Sequence, residues 1–335
     1  MVRMGDERAR PAGRRPPRVR SQLAAVVLTA MGIAAPAIVF TIVHAILIAP
    51  LPYAAPERLA AVSAALPGAQ QPFALFAGPE IAELTARTRT LAAAGGMWAR
   101  PAVLRQPGQT ATEIEVGWVT PGFLEALGVA PLIGRLPTAL EAQTRGRVAV
   151  LSHDLWRVRY AGDAAIVGRR LDVDGDLVTV VGVMPQGFRV LMPAEYGVPE
   201  RLDAWLPWGG GLEALPPSFR VFAVIGRLAP EATWGSAQAD LAGIGAALAG
   251  GNVNYSRSGF ELGAVPLAAA LAAPVRPTLL ALVAVVALVF LIASANVANL
   301  MLSRATARAR EMAVRLSLGA TRAQLWRRWM IESAG

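Results

Sequence analysis

The sequence predicts an α+β membrane protein in which two transmembrane helices flank a two-lobed, mixed α/β domain. Three observations support this prediction. The chain is very apolar, since 54% of its 335 residues are hydrophobic and only 16% are charged, whereas a soluble protein carries more charge. Its apolar residues include two long runs without a charged side chain. Between the runs, short apolar segments alternate between the helical and the strand period.

The first apolar run covers residues 23–49 and contains no charged residue. A helix of this length extends ~40 Å, which exceeds the ~30 Å hydrocarbon core of a bilayer. Pro36 would kink the helix, which membrane helices tolerate. A cleaved signal peptide is the alternative, but the run is longer than the ~7–15 apolar residues of a signal sequence and no A-x-A site ends it. We therefore predict a first transmembrane helix over residues 22–49.

The second apolar run covers residues 279–302 and predicts a transmembrane helix over 276–302. Three polar residues lie toward its end: Ser294, Asn296 and Asn299. Small and polar residues in membrane helices typically mark contacts between helices rather than a lipid-facing surface. We expect these three residues to pack against another helix. Their alternative role is to line a substrate path.

The positive charge of the chain lies beside the two apolar runs. The formal net charge is +9. Residues 1–21 and residues 303–335 each contribute +5, whereas the segment between them has a net charge of −1. By the positive-inside rule both arginine-rich flanks belong in the cytoplasm. The prediction is a multi-pass membrane protein, with both termini inside the cell and residues 50–275 outside.

The outer segment has the pattern of two α/β lobes, at about residues 50–192 and 218–270. In the first lobe the predicted elements are a helix at 78–94, a hairpin at 97–106 and 112–120, a helix at 121–128, a strand and helix at 147–162, and a hairpin at 168–185. In the second lobe they are a strand at 220–230, a helix at 233–249 and a strand at 259–267. Two local signals are strong: Ser152 as a helix N-cap and Asp174-Gly175 as a hairpin turn.

No catalytic, cofactor or metal site is predicted. The chain has no cysteine, and its two histidines, His44 and His153, lack the spacing of a metal or catalytic motif. The three acids of Asp172–Asp176 lack the glycine and the distal glutamate of a calcium loop, so they are expected to be turn residues. A nucleotide-binding P-loop needs a lysine, and the sequence contains none.

The basic segment 304–329 allows three interpretations. A predicted helix, a turn at Gly319 and a second helix form the outline of a DNA-binding helix-turn-helix. A basic helix with tryptophans could instead rest on the membrane surface. The third possibility is a docking element for a partner. DNA binding is disfavoured, because Arg304 lies two residues beyond a transmembrane run and the segment is therefore held at the bilayer.

Several stretches resemble the MacB-like periplasmic core domain, among them "HAILIAPLPYAAPERL", "VTPGFLEALGVAPLIGR" and "VIGRLAPEATWGSAQADL". The stretch "SRATARAREMAVRLSLGATRAQLWRRWMIES" resembles the start of an FtsX-like permease domain. The resemblance runs in the same order from about residue 20 to the end of the chain. It is greatest to the large, duplicated orphan permeases of bacteria. These permeases continue with further spans, so the resemblance implies that this chain is a fragment.

The resemblance implies the permease subunit of an ABC-type exporter or mechanotransmission complex. It implies a location in the bacterial cytoplasmic membrane, a cytoplasmic ABC ATPase as partner, a homodimer or a second permease half, and membrane lipids around the helices. The absence of catalytic and nucleotide-binding motifs predicts no enzymatic activity of the chain itself, and the position of the basic segment at the bilayer predicts no nucleic-acid partner. Residues that match the ATPase-coupling segment of the family are Arg310, Glu311, Arg315, Leu318, Gly319, Ala320 and Arg322. The alternative function is a membrane-anchored sensor or scaffold without transport activity.

Overall fold

A computed structural model of the chain describes residues 50–65, 75–106, 108, 110–143, 146–251 and 260–317, with residues 34, 37–39 and 41 of the first apolar run. The chain divides into two compact units. One unit is the segment Ala49–Pro274, which forms an α/β domain. The other unit combines Met1–Ile48 with Val275–Gly335.

The α/β domain is built on one mixed sheet. Its strands are β1 (Leu59–Ala65), β2 (Phe76–Ala77), β3 (Leu91–Arg105), β4 (Thr112–Val119), β5 (Ile133–Gly134), β6 (Val148–Leu151), β7 (Arg170–Val173), β8 (Asp176–Val183), β9 (Ala204–Pro207), β10 (Arg220–Leu228) and β11 (Glu261–Pro266). Its α-helices are α1 (Gly78–Arg87), α2 (Phe123–Leu127), α3 (Ala139–Gln143), α4 (His153–Tyr160), α5 (Trp234–Gly251) and α6 (Leu267–Ala272). Helix α7 (Arg276–Ser317) belongs to the other unit.

The strand order is β11-β1-β10-β3-β4-β9-β6-β8-β5, with β2 paired to β10 and β7 paired to both β3 and β8. The β4–β9 and β6–β8 pairs are parallel and the other pairs are antiparallel. Strand β3 holds the sheet together, because it contains 15 residues and pairs at both ends. Leu91 pairs with Leu228 of β10, and Arg105 pairs with Asp172 of β7.

Three apolar clusters form the core of the domain. One lies between the β1–β10–β11 end of the sheet and helices α1 and α5. A second lies between α4 and strands β4, β6, β8 and β9. Alternate residues of β3 face these two clusters, and the intervening Met97 faces a third cluster with α2 and α6. Because side chains alternate along a strand, the first two clusters share one face of the sheet and the third covers the other.

The sequence predicts two consecutive lobes, at residues 50–192 and 218–270. The two halves of the folded domain do not follow this order along the chain. Strand β1 pairs with β10 and β11, so the beginning and the end of the domain build the same half. The physical reason is that β1 and β11 each need a partner for their backbone hydrogen bonds, and the antiparallel register supplies it. A local sequence pattern can identify a strand, but it does not show which other strand is its partner in the sheet.

Most of the predicted elements are confirmed, including the β3–β4 and β7–β8 hairpins and the helices at 121–128 and 233–249. The β7–β8 turn places Asp174 and Gly175 at φ 54° and 89°, which a two-residue hairpin turn requires. The Ser152 hydroxyl accepts a hydrogen bond from the Leu155 amide at 3.0 Å, as an N-cap does.

The predicted helix at 78–94 is wrong in its second half, because α1 ends at Arg87 and β3 begins at Leu91. Two glycines explain the change. A Cβ atom on Gly95 would lie 2.5 Å from the Phe123 nitrogen, and one on Gly96 would lie 2.6 Å from the Ile81 Cδ1. The segment is therefore a close-packed strand. Strands β1, β2, β5 and β9 were not predicted, since each is short or pairs only with distant residues.

Candidate functional site

Helix α7 is the membrane-crossing candidate of the described part of the chain. Its residues Arg276–Ser303 form the one helix among the described residues that is long and apolar enough to span a bilayer, and the mean hydropathy reaches 2.8 in an 18-residue stretch of these 28 residues. Such a helix extends ~42 Å, which covers the hydrocarbon core. The other predicted span, at 22–49, lies outside the described residues except for five helical positions. The first span therefore stays a prediction.

The three polar residues of the second span are divided between two faces of α7. Ser294, Asn296 and Asn299 all have exposed side chains. At ~100° per residue, Asn296 and Asn299 lie on one face and Ser294 lies on another. The structure thus brings together two of the three residues predicted to pack against a helix. An exposed amide pair on a membrane helix requires a polar partner or water, because lipid offers no hydrogen bonds.

The basic segment continues the apolar span without a break. Helix α7 has 42 residues and passes through Ser303 to Ser317 in one piece. Arg310 is helical and exposed, and Glu311 and Arg315 lie on the same helix one turn apart. Leu318, Gly319, Ala320 and Arg322 lie outside the described residues. Three of the seven predicted coupling residues are therefore placed on a helix that also carries the span.

The first segment of the α/β domain is held firmly to the sheet. The Tyr53 hydroxyl donates to the Arg189 carbonyl at 2.8 Å and accepts from the Leu191 amide at 2.9 Å. Burial raises the pKa of Tyr53 to about 12, against the lowering effect of the hydrogen bond from Leu191, so the hydroxyl stays a donor at neutral pH. The Arg58 guanidinium donates to the Leu228 carbonyl of β10.

Arg227 of β10 connects the same segment to α2. Its guanidinium donates to the carbonyls of Ala55 at 3.1 Å, Ala126 at 2.7 Å and Leu127 at 3.3 Å. Carbonyls at a helix C-terminus lack partners within the helix, so an arginine satisfies them well. Burial lowers the pKa of Arg227, and Arg58 lowers it further. No local sequence signal marks Tyr53 or Arg227, because each acts through contacts more than 100 residues away in the sequence.

An aromatic pair lies where the two core clusters of one sheet face meet. Trp98 of β3 lies opposite Trp118 of β4. Trp98 packs against the cluster with α1 and α5, and Trp118 packs against the cluster with α4. The Arg100 guanidinium lies 5.6 Å from one ring and 5.2 Å from the other, and 3.0 Å from Asp174. This arrangement stiffens the middle of the long β3–β4 hairpin.

The predicted turn acids are confirmed as structural residues. Asp172 accepts from the Gly175 amide at 2.8 Å. Asp174 accepts from the Val103 amide at 2.8 Å, and Asp176 lies 3.3 Å from Arg147. His153 lies against Trp156, with 5.6 Å between the ring centroids. Among the described residues, no group of three or more His, Asp or Glu side chains could hold a metal ion.

A groove of about 620 Å³ runs between α1, the start of β3 and the turn before α2. Its walls are mostly alanine, glycine and threonine, with Trp208, Glu125 and Glu213 at the margins. Such small side chains leave space for a ligand but provide few groups that could bind it specifically or react with it. The groove has the size of a ligand pocket, and its described lining contains no serine, lysine or histidine.

Two protein-family models match the sequence. Residues 23–244 match the model of the MacB-like periplasmic core domain, and residues 283–334 match that of the FtsX-like permease C-terminal domain. No protein of curated function matches the sequence.

Three solved structures resemble the α/β domain. A permease domain from Porphyromonas gingivalis is 17% identical, with a TM-score of 0.47, and the match covers 64% of this chain and 92% of that one. The extracellular domain of YknZ, a noncanonical ABC-type transporter of Gram-positive bacteria, is 14% identical with a TM-score of 0.43, covering 62% and 99%. The periplasmic region of MacB from Actinobacillus actinomycetemcomitans is 11% identical with a TM-score of 0.43, covering 61% and 87%.

The two family models account for the order of the chain: an apolar run, an α/β domain, and an apolar helix that continues into a basic segment. The first model alone covers more than half of the 335 residues. The chain therefore belongs to the MacB/FtsX-like family of ABC transporter permeases.

Proposed function

We propose that this chain transmits ATP-driven motion from a separate cytoplasmic ATPase to the α/β domain outside the membrane, as the permease subunit of an exporter or mechanotransmission complex. Both termini would lie in the cytoplasm, with transmembrane helices at 22–49 and 276–302 and the domain in the periplasm or its equivalent. ATP would be bound and hydrolysed by the partner, and the permease itself would perform no catalysis.

The continuity of α7 is the observation that carries the proposal. A helix that runs from Arg276 to Ser317 extends ~63 Å. It moves as a rigid rod over short distances, because each turn is hydrogen-bonded to the next. A displacement applied to its basic segment would therefore reach the outer end of the span without being lost in a flexible hinge. No proline or glycine interrupts the helix after Pro277.

The segment after the first apolar run is the second point of transmission. Tyr53, Arg58 and Arg227 join residues 53–58 to β10 and to the loop at 189–191. A pull on this segment would act directly on the sheet, since the contacts are hydrogen bonds to backbone carbonyls rather than to mobile side chains. The sheet would then move as one body, because β3 links both of its halves.

The coupling site is proposed at Arg310, Glu311, Arg315, Leu318, Gly319, Ala320 and Arg322. All seven fall within the segment that matches the FtsX-like model. Glu311 precedes Arg315 by four residues, the order that stabilises a helix and presents one polar stripe. Such a stripe is suited to a charged groove on an ATPase surface.

Capture of a co-expressed ATPase tests this coupling site. The Glu311→Ala/Arg315→Ala variant should capture about tenfold less ATPase than the wild type, because two charged contacts at an interface are lost. The matched control is Glu200→Ala/Arg201→Ala, which removes the same residue types from exposed positions of the α/β domain and should capture normally.

Undiminished capture by the Glu311→Ala/Arg315→Ala variant would contradict the coupling site. Failure of the wild type to capture any ATPase encoded beside it would contradict the permease function. That second result would favour a membrane-anchored sensor or scaffold.

A further inference from the structure

A pocket of about 520 Å³ opens at the end of β3 that lies farthest from β10. Its lining residues are Arg105, Gln106, Arg169, Arg170, Asp172 and Leu177. Strand β3 pairs with β10 at Leu91 and with β7 at Arg105. These two residues lie ~45 Å apart along the strand. The pocket is therefore remote from residues 53–58, which contact β10, and from the groove beside α1.

The pocket carries excess positive charge. Three of its residues are arginines and one is an aspartate. Asp172 already accepts from the Gly175 amide at 2.8 Å and lies 3.8 Å from the Arg105 guanidinium. Within the described residues, Arg169 and Arg170 have no carboxylate within ion-pair distance. Two guanidinium groups thus remain available to an anion.

The residues of the pocket are held in place by a buried tyrosine and by the sheet. The Arg169 guanidinium lies 5.6 Å from the centre of the Tyr160 ring. Gln106 donates a hydrogen bond to the hydroxyl of the same residue. The Arg169 carbonyl accepts from the Val180 amide at 2.9 Å, and the Gly168 amide donates to the Val180 carbonyl at 2.7 Å. An arginine that is positioned before the ligand arrives loses less entropy on binding.

We propose that this pocket binds the phosphate group of a ligand. A planar guanidinium donates two parallel hydrogen bonds to phosphate oxygens, and Arg169 and Arg170 can each supply such a pair. A phosphate dianion matches the net charge of the wall better than a carboxylate with a single charge. Leu177, whose exposed fraction is 52%, adds an apolar surface for the part of the ligand that bears the phosphate.

Titration with inorganic phosphate tests the proposal. The full chain, held in phosphatidylcholine nanodiscs, is heated with increasing phosphate or with chloride at equal ionic strength. Phosphate should raise the unfolding temperature of the α/β domain more than chloride does, because a bound anion stabilises the folded state. In Arg169→Gln/Arg170→Gln the apparent phosphate affinity should fall about tenfold or more.

Arg147→Gln/Arg157→Gln is the matched control, because it removes two exposed arginines that do not line the pocket. It should retain the wild-type affinity for phosphate. Equal stabilisation of the wild type by phosphate and chloride would overturn the proposal. So would equal phosphate affinities of the wild type and Arg169→Gln/Arg170→Gln, or an equal loss of affinity in the control.

Nanodiscs that contain phosphatidic acid distinguish two sources of the phosphate group, because its headgroup is a phosphomonoester that can carry two negative charges, whereas phosphatidylcholine carries only a zwitterionic phosphodiester. If a lipid headgroup occupies the pocket, these nanodiscs should weaken the binding of added phosphate to the wild type. If the ligand is soluble, the affinity should be the same in both lipids. Neither result depends on an ATPase, so the test is independent of the proposed coupling function.

Discussion

Single side chains connect elements that are far apart in this sequence. Asp240 of α5 is the clearest case. Its Oδ2 accepts from the Thr88 hydroxyl at 3.1 Å, the Arg89 amide at 2.9 Å, and the amide and hydroxyl of Thr90 at 3.2 and 2.8 Å. Burial raises the pKa of Asp240, but these hydrogen bonds together lower it below its ordinary value. The carboxylate thus fastens α5 to the turn between α1 and β3.

The substitution Asp240→Ala should lower the free energy of unfolding of the α/β domain by about 1–3 kcal/mol, because four donors lose their acceptor. Chemical denaturation of the chain in detergent measures this change. Asp240→Asn keeps an acceptor oxygen and should cost less. The control Asp154→Ala removes an aspartate whose side chain is 78% exposed and should have little effect. Equal stabilities of Asp240→Ala and this control would contradict the role of Asp240.

At the scale of the element, caps and glycines decide where helices and strands begin and end. Helix α3 begins with a capping box, in which the Glu141 amide donates to the Thr138 hydroxyl at 3.2 Å and the Thr138 amide donates to the Glu141 carboxylate at 2.8 Å. Arg135 adds two hydrogen bonds of 2.7 Å to the same carboxylate. The hydrogen bonds from Arg135 are the main cause that lowers the pKa of Glu141 to about 2.

This capping box predicts a pH dependence of stability. Because the pKa of Glu141 is lower in the folded chain than its ordinary value of 4.5, its stabilising effect is present above pH 4.5 and is lost as the pH falls toward 2. Unfolding temperatures measured between pH 5 and about 2 should therefore fall less steeply in Glu141→Gln than in the wild type.

The control for this pH dependence is Glu231→Gln, which removes an exposed carboxylate before α5 and should keep the wild-type slope. If Glu141→Gln also keeps that slope, the proposed contribution of the capping box is wrong.

At the scale of the whole molecule, charge and hydropathy predict the topology. Both arginine-rich flanks should be cytoplasmic and the α/β domain should be outside. These 335 residues contain no cysteine, so single cysteines can be introduced without background labelling. In intact cells a membrane-impermeant maleimide should label Ser218→Cys, an exposed residue of the domain, but not Ser21→Cys or Ser333→Cys until the membrane is opened. Labelling of either terminal cysteine in intact cells would contradict the topology.

The sequence by itself determined the α/β character of the outer segment, the second apolar span and most of the local elements. These features depend on short-range signals: uncharged runs, the alternation of apolar residues, the Asp174-Gly175 turn and the Ser152 cap. The candidate coupling residues came from a resemblance, and the structure adds that Arg310, Glu311 and Arg315 continue the helix of the span.

Only the tertiary structure decided the pairing of β1 with β10 and β11, the extension of β3 through Gly95 and Gly96, and the assembly of Arg105, Arg169 and Arg170 around one pocket. The reason is physical. Hydrogen bonds between strands and the convergence of like charges depend on which distant segments become neighbours. That choice is made by the burial of apolar side chains over the whole sheet, and no local pattern records it.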